Sequence, residues 1–202
     1  MTRQLRDQVV ATARTLHARG LTHGRTGNVS IRAGEHLLIT PTGASLDSLT
    51  PEQLSEIDAD GRHVSGPPPS KEAFLHAAVL RQRPHANAVL HTHSTHAAAV
   101  SCLAGLDPAN AIPPLTAYFT MRIGRLPLLP YHAPGDPALA PLVAEAAREH
   151  HALLLANHGP VVCGPDPDTA LDALEELEHT AAIMLLTRGL PTTLVPSRTD
   201  PP

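Results

Sequence analysis

The sequence predicts an α/β protein in which helices cover a mixed, mainly antiparallel sheet. Three observations lead there. Helix-period and strand-like stretches alternate along the chain. Several strand joins are short enough to be hairpins. The 202 residues suffice for one domain with a sizeable core. Hydrophobic residues make up 42% of the chain and aromatics only 2%, with no Trp, so that core must be built from Ala, Leu and Val.

Taken in order, Leu5, Val9, Ala13 and Leu16 recur at helical spacing, and Gly20 stops that helix. "GRTGNVSIR" and "HLLIT" read as two short strands joined by "AGE" in a hairpin. "PTGASLDSLTPEQL" is a loop running into a short helical turn, and "IDADGRHVSG" is a pair of strand ends around the Asp60–Gly61 turn. In "PPPSKEAFLHAAVLRQRP" Ser70 stands at the cap of a helix and Pro84 at its end. "NAVLHTH" follows as a strand and "STHAAAVSCLAG" as a helix; "YFTMRIGRLPLLPY" is strand-like with a Gly interruption. Asp136 and Pro137 open a helix through Arg148, with Leu139, Leu142, Val143 and Ala146 facing inward. "ALLLANHG" and "PVVCG" are strands around a tight turn. Asp168 begins the last long helix, and Gly189 with Pro191 ends it. The expected organisation is one domain over residues 1–190 and a loose tail over 191–202.

Charge and composition exclude several classes. The formal net charge is -4, no Lys/Arg run exists, and few aromatics are available to stack on bases, so nucleic acid is not an expected partner. No apolar run approaches the ~20 residues of a membrane span. The stretch "MTRQLRDQVVATARTL" is interrupted by charges and lacks the apolar core of a signal peptide, which makes the cytoplasm the expected compartment. Cys102 and Cys163, far apart and each beside apolar residues, read as buried free thiols in a reducing compartment. The outlying count is histidine, at 14.

Their spacing carries the chemistry. In a strand, residues two apart share a face, so His91 and His93 of "VLHTH" point the same way and make a bidentate clamp for a metal ion. His96 lies past the expected turn and need not join them. A catalytic zinc site uses three protein ligands and keeps one position open. The third ligand is His158 in "LLLANHGPVV", a polar residue ending an apolar strand at a Gly-bearing turn. Imidazole nitrogen suits zinc, copper, iron or nickel, of which zinc is the commonest non-redox choice. The competing reading is of ordinary hydrogen-bonded histidines; the pairing of H-x-H at one strand end with N-H-G at another favours a metal. The remaining histidines, His76 and His132 among them, have no such context.

Glu72, in the first turn of the expected helix, complements the helix dipole without any further role. Facing the metal, it would instead bind the empty site or act as general acid and base. Ser70 and Lys71 precede it, and a helix N-terminus with a hydroxyl, free N–H groups and a Lys is an anion site. "TGN" (Thr26 to Asn28) and "PTG" (Pro41 to Gly43) are two more Gly-bearing loops able to wrap a phosphate. Together these loops suggest a phosphorylated substrate.

"TGNVSIR", "LLITPTG", "PSKEAFLHAAVLRQRPHANAVLHTHSTHAAAVS" and "LLLANHGPVVCG" together resemble the class II aldolase/adducin family, in order over roughly residues 5 to 190. The resemblance implies a nine-stranded-type, three-layer α/β/α fold, a Zn²⁺ ion, and a homotetramer with sites between subunits. It places His91, His93 and His158 as zinc ligands, Glu72 as acid/base that also ligates resting zinc, and Asn28, Gly43, Ser70 and Lys71 around the substrate phosphate. Where the family's commoner motif has a second Ser, this chain has Lys71, which adds a cation and points to a subgroup. "TAYFTMRIGRLPLLPYHAPGD" is similar to the 3-oxo-tetronate 4-phosphate decarboxylase branch, with Tyr118 near the family's catalytic Tyr, which reaches a neighbouring subunit's site. Arg122 is a contact for a carboxylate or an interface, or an exposed Arg with no role. The resemblance implies decarboxylation of a phosphorylated sugar acid to dihydroxyacetone phosphate through a metal-stabilised enediolate. A sugar-phosphate aldolase or epimerase, or a non-catalytic adducin-like module, are the alternatives.

Overall fold

Side-chain alternation builds the sheet, and capping and helix period build the layers around it. The structure, a computed structural model, describes residues 3–196. The order of elements is α1 (Arg3–Ala18), β1 (Asn28–Ala33), β2 (His36–Ile39), a 3-10 turn (Pro51–Gln53), β3 (Ser55–Ile57), β4 (His63–Ser65), α2 (Ala73–Gln82), β5 (Ala88–His91), α3 (Thr95–Ser101), α4 (Ala117–Arg122), β6 (Leu128–Leu129), α5 (Leu139–Ala147), β7 (Ala152–Leu155), β8 (Gly159–Gly164) and α6 (Pro167–Leu186). The sheet order is β4-β3-β2-β1-β5-β8-β7-β6. Every pairing is antiparallel except β6 with β7. The α/β class with a mixed, mainly antiparallel sheet is therefore the observed one, with eight strands among the described residues rather than nine.

The central strands are buried on both faces, which is why β5, β7 and β8 read as near-continuous apolar runs. Leu90, Leu154 and Val162 pack with Val9, Leu16, Val100, Phe119 and Leu174 from α1, α3, α4 and α6. Val89, Leu153 and Val161 point the other way, onto Leu75, Val79, Leu139 and Val143 of α2 and α5. Period two along the strands thus divides one core into two, and the three layers follow.

Five local expectations are corrected. "YFTMRIG" is not strand-like: the Thr116 hydroxyl accepts from the Phe119 N–H at 3.0 Å and caps α4, and Phe119 is buried in the core. Only Leu128–Leu129 of that stretch pairs as a strand. α2 begins at Ala73, because the Ser70 hydroxyl and carbonyl accept from the N–H groups of Glu72 and Ala73 and close a separate turn first. In α5 the inward set is Leu139, Val143 and Ala147, spaced four apart; Leu142 is exposed and Ala146 only partly covered. α6 starts one turn position earlier than Asp168, capped by the Asp166 carboxylate on the Thr169 N–H at 2.7 Å. Of the two thiols, Cys163 is buried but Cys102 is exposed.

Residues 191–196 run without helix or strand, and the Val195 N–H bonds the Pro114 carbonyl at 2.8 Å. The rest of the expected tail, residues 197–202, lies outside the described residues. Among those described, no helix is long and apolar enough to cross a membrane.

Candidate active site

β5 runs between β1 and β8, and its last residue carries the first ligand candidate. Asn28 is the cross-strand partner of His91 on one side and Val161 on the other. The β7–β8 turn brings His158 to the same place. Asn157 holds φ 55°, a left-handed conformation that Asn tolerates. The Asn157 and His158 N–H groups bond the carbonyl and hydroxyl of Ser101, both at 3.1 Å. Any Cβ on Gly159 would collide with the Thr92 carbonyl oxygen, so only Gly lets β8 start this close to the His91–His93 segment.

The side chains converge. The Nε2 atoms of His158 and His93 are 2.9 Å apart, and those of His91 and His158 are 3.3 Å apart. Glu72 brings Oε2 to 3.4 Å from His91 Nε2 and Oε1 to 3.3 Å from His158 Nε2. One donor atom from each of these four residues lies within 4.8 Å of the others, a group able to hold a metal ion. His91 Nδ1 donates to the Pro160 carbonyl at 2.9 Å, which leaves its Nε2 as a lone pair facing the cluster. Burial, reinforced by His91 and His158, pushes His93 down to about 3; burial and His91 push His158 down to about 4. With their Nε2 atoms turned to one point beside a carboxylate, neutral imidazoles can offer lone pairs to a cation there. That chemistry fits a divalent metal with nitrogen ligands.

Behind the cluster lies a buried chain that the sequence did not disclose. Asn28 Nδ2 donates to Glu72 Oε2 at 2.9 Å, and Asn28 Oδ1 accepts from His76 Nε2. His76 Nδ1 then accepts from the Ser30 hydroxyl at 2.7 Å. Because the carboxylate can only accept, the orientation of the Asn28 amide and the tautomer of His76 both follow from it. Burial, with His91 adding to it, pushes His76 down to about 3, so it stays neutral. Burial alone would raise Glu72, but His91 and the Asn28 amide outweigh it and keep the carboxyl below its usual range. Glu72 stands at the N-cap of α2 yet makes no capping bond; its side chain turns to the histidines instead. A helical spacing of four between Glu72 and His76 was the available signal for His76.

A pocket of about 170 Å³ opens from the cluster, lined by Glu72, His93 and His158 and by the loops of Thr26, Gly43, Ser70 and Lys71. Arg25 and Pro134 complete its wall. The Asn28 side chain is committed to Glu72 and His76 and is not among the wall residues. Tyr118 is 60% exposed on α4, away from this pocket, with the Arg122 guanidinium 5.8 Å from its ring centre. Arg122 pairs with Asp172 at 2.9 Å. His96 is held by Glu178 at 2.8 Å, outside the cluster.

Comparison with known proteins places the chain in context. The model of the class II aldolase and adducin N-terminal domain matches residues 7–185. The 3-oxo-tetronate 4-phosphate decarboxylase of Escherichia coli strain K12 is 46% identical over 183 residues, 90% of this chain and 86% of that protein. The L-fuculose phosphate aldolase of the same strain is 36% identical over 93% of this chain and 85% of its own length. The crystal structure of Escherichia coli YgbL, described as an aldolase/epimerase/decarboxylase, superposes with a TM-score of 0.93 at 42% identity, covering 96% of this chain and 95% of that one.

Proposed function

The chain belongs to the class II aldolase and adducin N-terminal domain family, and from that premise we propose that it is a zinc-dependent decarboxylase of 3-oxo-tetronate 4-phosphate, releasing CO₂ and dihydroxyacetone phosphate. The enzyme is a carbon–carbon lyase of that family. The observation that carries the finer reading is the convergence of three imidazoles and one carboxylate on a pocket walled by phosphate-sized polar loops. The 46% identity to a decarboxylase, against 36% to an aldolase, supports the choice of reaction.

His91, His93 and His158 hold the zinc ion, with Glu72 as a fourth ligand at rest. When bound, the metal supplies a Lewis acid for the charge that develops as the carbon–carbon bond breaks. Gly43, Ser70 and Lys71 hold the phosphate, so that its binding energy orients the reacting carbon, while the Asn28 amide, expected there from the sequence, stays on Glu72 and His76. The bond from C-2 to the carboxyl carbon breaks, CO₂ leaves, and the electron pair stays on the sugar fragment. The loss of CO₂ consumes one proton: Glu72 takes it up from solvent in the open pocket and delivers it to C-2, and the Asn28–His76–Ser30 chain keeps its carboxyl aimed there. Tyr118, exposed on α4, serves the site of a neighbouring subunit in a homotetramer. The protein works in the cytoplasm, on a small phosphorylated sugar acid.

The test is direct. The zinc-loaded protein is incubated separately with 3-oxo-tetronate 4-phosphate and with fuculose 1-phosphate, while CO₂ and aldehyde release are both followed. CO₂ from the first and no aldehyde from the second is the expected result. Aldehyde release alone would make the protein an aldolase, and no turnover of either would remove both assignments.

A further inference from the structure

The turn between β6 and α5 contains "YHAPGD", and no role attaches to it in the reaction above. It is closed at both ends. His132 Nδ1 bonds Asp136 Oδ2 at 3.0 Å, the Asp136 N–H bonds the Ala133 carbonyl at 2.9 Å, and Asp136 Oδ1 accepts from the Ala138 N–H at 3.0 Å. The Ala138 N–H and then His132 hold the Asp136 carboxyl below its usual range, so it stays an acceptor. Pro134 forms part of the pocket wall beside His93, His158 and Lys71. Gly135 follows with φ 85°, and its backbone lies along the stem of Lys71. A methyl group added there would stand 3.3 Å from Lys71 Cβ, 3.7 Å from its carbonyl oxygen and 3.9 Å from its Cδ.

Lys71 needs such a support. Neither it nor Arg25 forms a salt bridge among the described residues. A free Lys side chain loses rotamer freedom when it grips an anion, and that loss weakens binding. Packing the stem against a rigid turn removes part of that cost before the anion arrives. The left-handed backbone favours Gly at this position, and a Cβ there would press on Lys71 Cβ and push the stem aside by a few tenths of an ångström.

We propose that the His132–Asp136 turn is a positioning device for Lys71: it packs Gly135 on the lysine stem and presents the ammonium to the phosphate group of the substrate. His132, Gly135 and Asp136 are positioning residues in this scheme. The inference rests on the phosphate reading of the pocket, but not on which bond the enzyme breaks.

Calorimetric titration of the metal-loaded full chain with inorganic phosphate tests it, alongside steady-state kinetics with 3-oxo-tetronate 4-phosphate. Lys71→Ala should weaken phosphate binding about 10-fold, the size of one lost charge-assisted contact. His132→Ala and Gly135→Ala should each weaken it by about 3-fold to 10-fold. The double variant Lys71→Ala/Gly135→Ala should bind no more weakly than Lys71→Ala alone, since the turn acts through the lysine. His132→Asn, whose amide N–H can replace Nδ1–H, should restore most of the loss. In the kinetic arm kcat/KM should fall by about the same factors while metal content is unchanged.

Wild-type affinity for phosphate in His132→Ala, or losses that multiply in the double variant, would overturn the proposal, as would a wild-type protein that does not bind phosphate. If Gly135→Ala does not fold, the His132→Ala and His132→Asn pair decides. If the sugar acid is not turned over while phosphate affinity responds as described, the decarboxylase reading falls and the positioning role stands.

Discussion

The two ends of the β5–β8 pair could hardly be treated more differently. At one end, past His91, lies the small pocket of about 170 Å³ with four converging side chains able to hold a metal ion. At the other, around Ala86, Cys163 and Gly164, lies a cavity of about 680 Å³, four times as roomy. The large cavity is bordered by Arg83, Arg122, Arg148 and His151, yet its charges are spoken for. Arg122 pairs with Asp172, Arg148 with Glu145 at 3.1 Å, and Arg83 donates to the Ala147 carbonyl at 3.1 Å. His151 donates to the Arg122 carbonyl at 2.7 Å, and burial pushes the Cys163 thiol up to about 11, where it is unreactive at neutral pH. Volume therefore does not identify the reactive end. What identifies it is a set of polar groups that turn donor atoms to a single point.

The sharpest way to break that contrast is Glu72→Gln. Removing the only carboxylate of the cluster should lower kcat by about 10²-fold to 10⁴-fold, the range of general acid–base catalysis, while metal analysis still finds the ion on the three histidines. Near-normal turnover would deprive the small pocket of its distinguishing group. Next in size is His93→Ala: equilibrium competition against a chelator should show metal affinity down by about 10-fold or more, extrapolated from losses seen when supporting residues of metal sites are removed. Retention of wild-type affinity would mean the histidines converge without binding a metal.

Acid should distinguish the two ends further, with smaller effect. His76 ordinarily titrates near 6.5 and is held at about 3 in the fold, so the unfolded chain binds the extra proton first. It costs nothing above pH ~6.5, and its cost grows as the pH falls from there towards 3. His93 and His158 shift in the same direction. The metal-free protein should therefore lose Tm steadily between pH 7 and pH 5, and His76→Gln should lose less over that interval. A Tm that rises on acidification contradicts the buried neutral state of these rings. The smallest effect belongs to the large cavity. Arg148→Ala, at its rim, should leave kcat/KM within about 2-fold and stability within ~0.5 kcal/mol. A tenfold loss of activity there would show that the roomy end takes part in turnover.

The candidate metal ligands were legible because their pattern is local. H-x-H at the end of one apolar strand and N-H-G after another are visible without knowing how the strands pair. Glu72 was legible as a residue but not in its posture: the expected first-turn acid is an N-cap residue that ignores its helix and faces the histidines. His76 was passed over because its one local mark, the spacing of four from Glu72, says nothing of what it bonds. Its partners, Ser30 and Asn28, lie 46 and 48 residues away and reach it only across β1. α4 was misread for a related reason. Its apolar letters suit either period, and what decides for a helix is the Thr116 cap and the burial of Phe119 beneath α6.

By itself, then, the amino-acid order determined the alternation of strands and helices, the hairpins, and the residue types able to bind a cation, since each depends on spacing within one segment. Only the tertiary structure decided that the Asn28 amide faces Glu72, that a buried imidazole stands behind it, and that Gly135 lies on the lysine stem. Those arrangements depend on which strands become neighbours and how closely their backbones approach, and the spacing of residues within a segment carries no record of either.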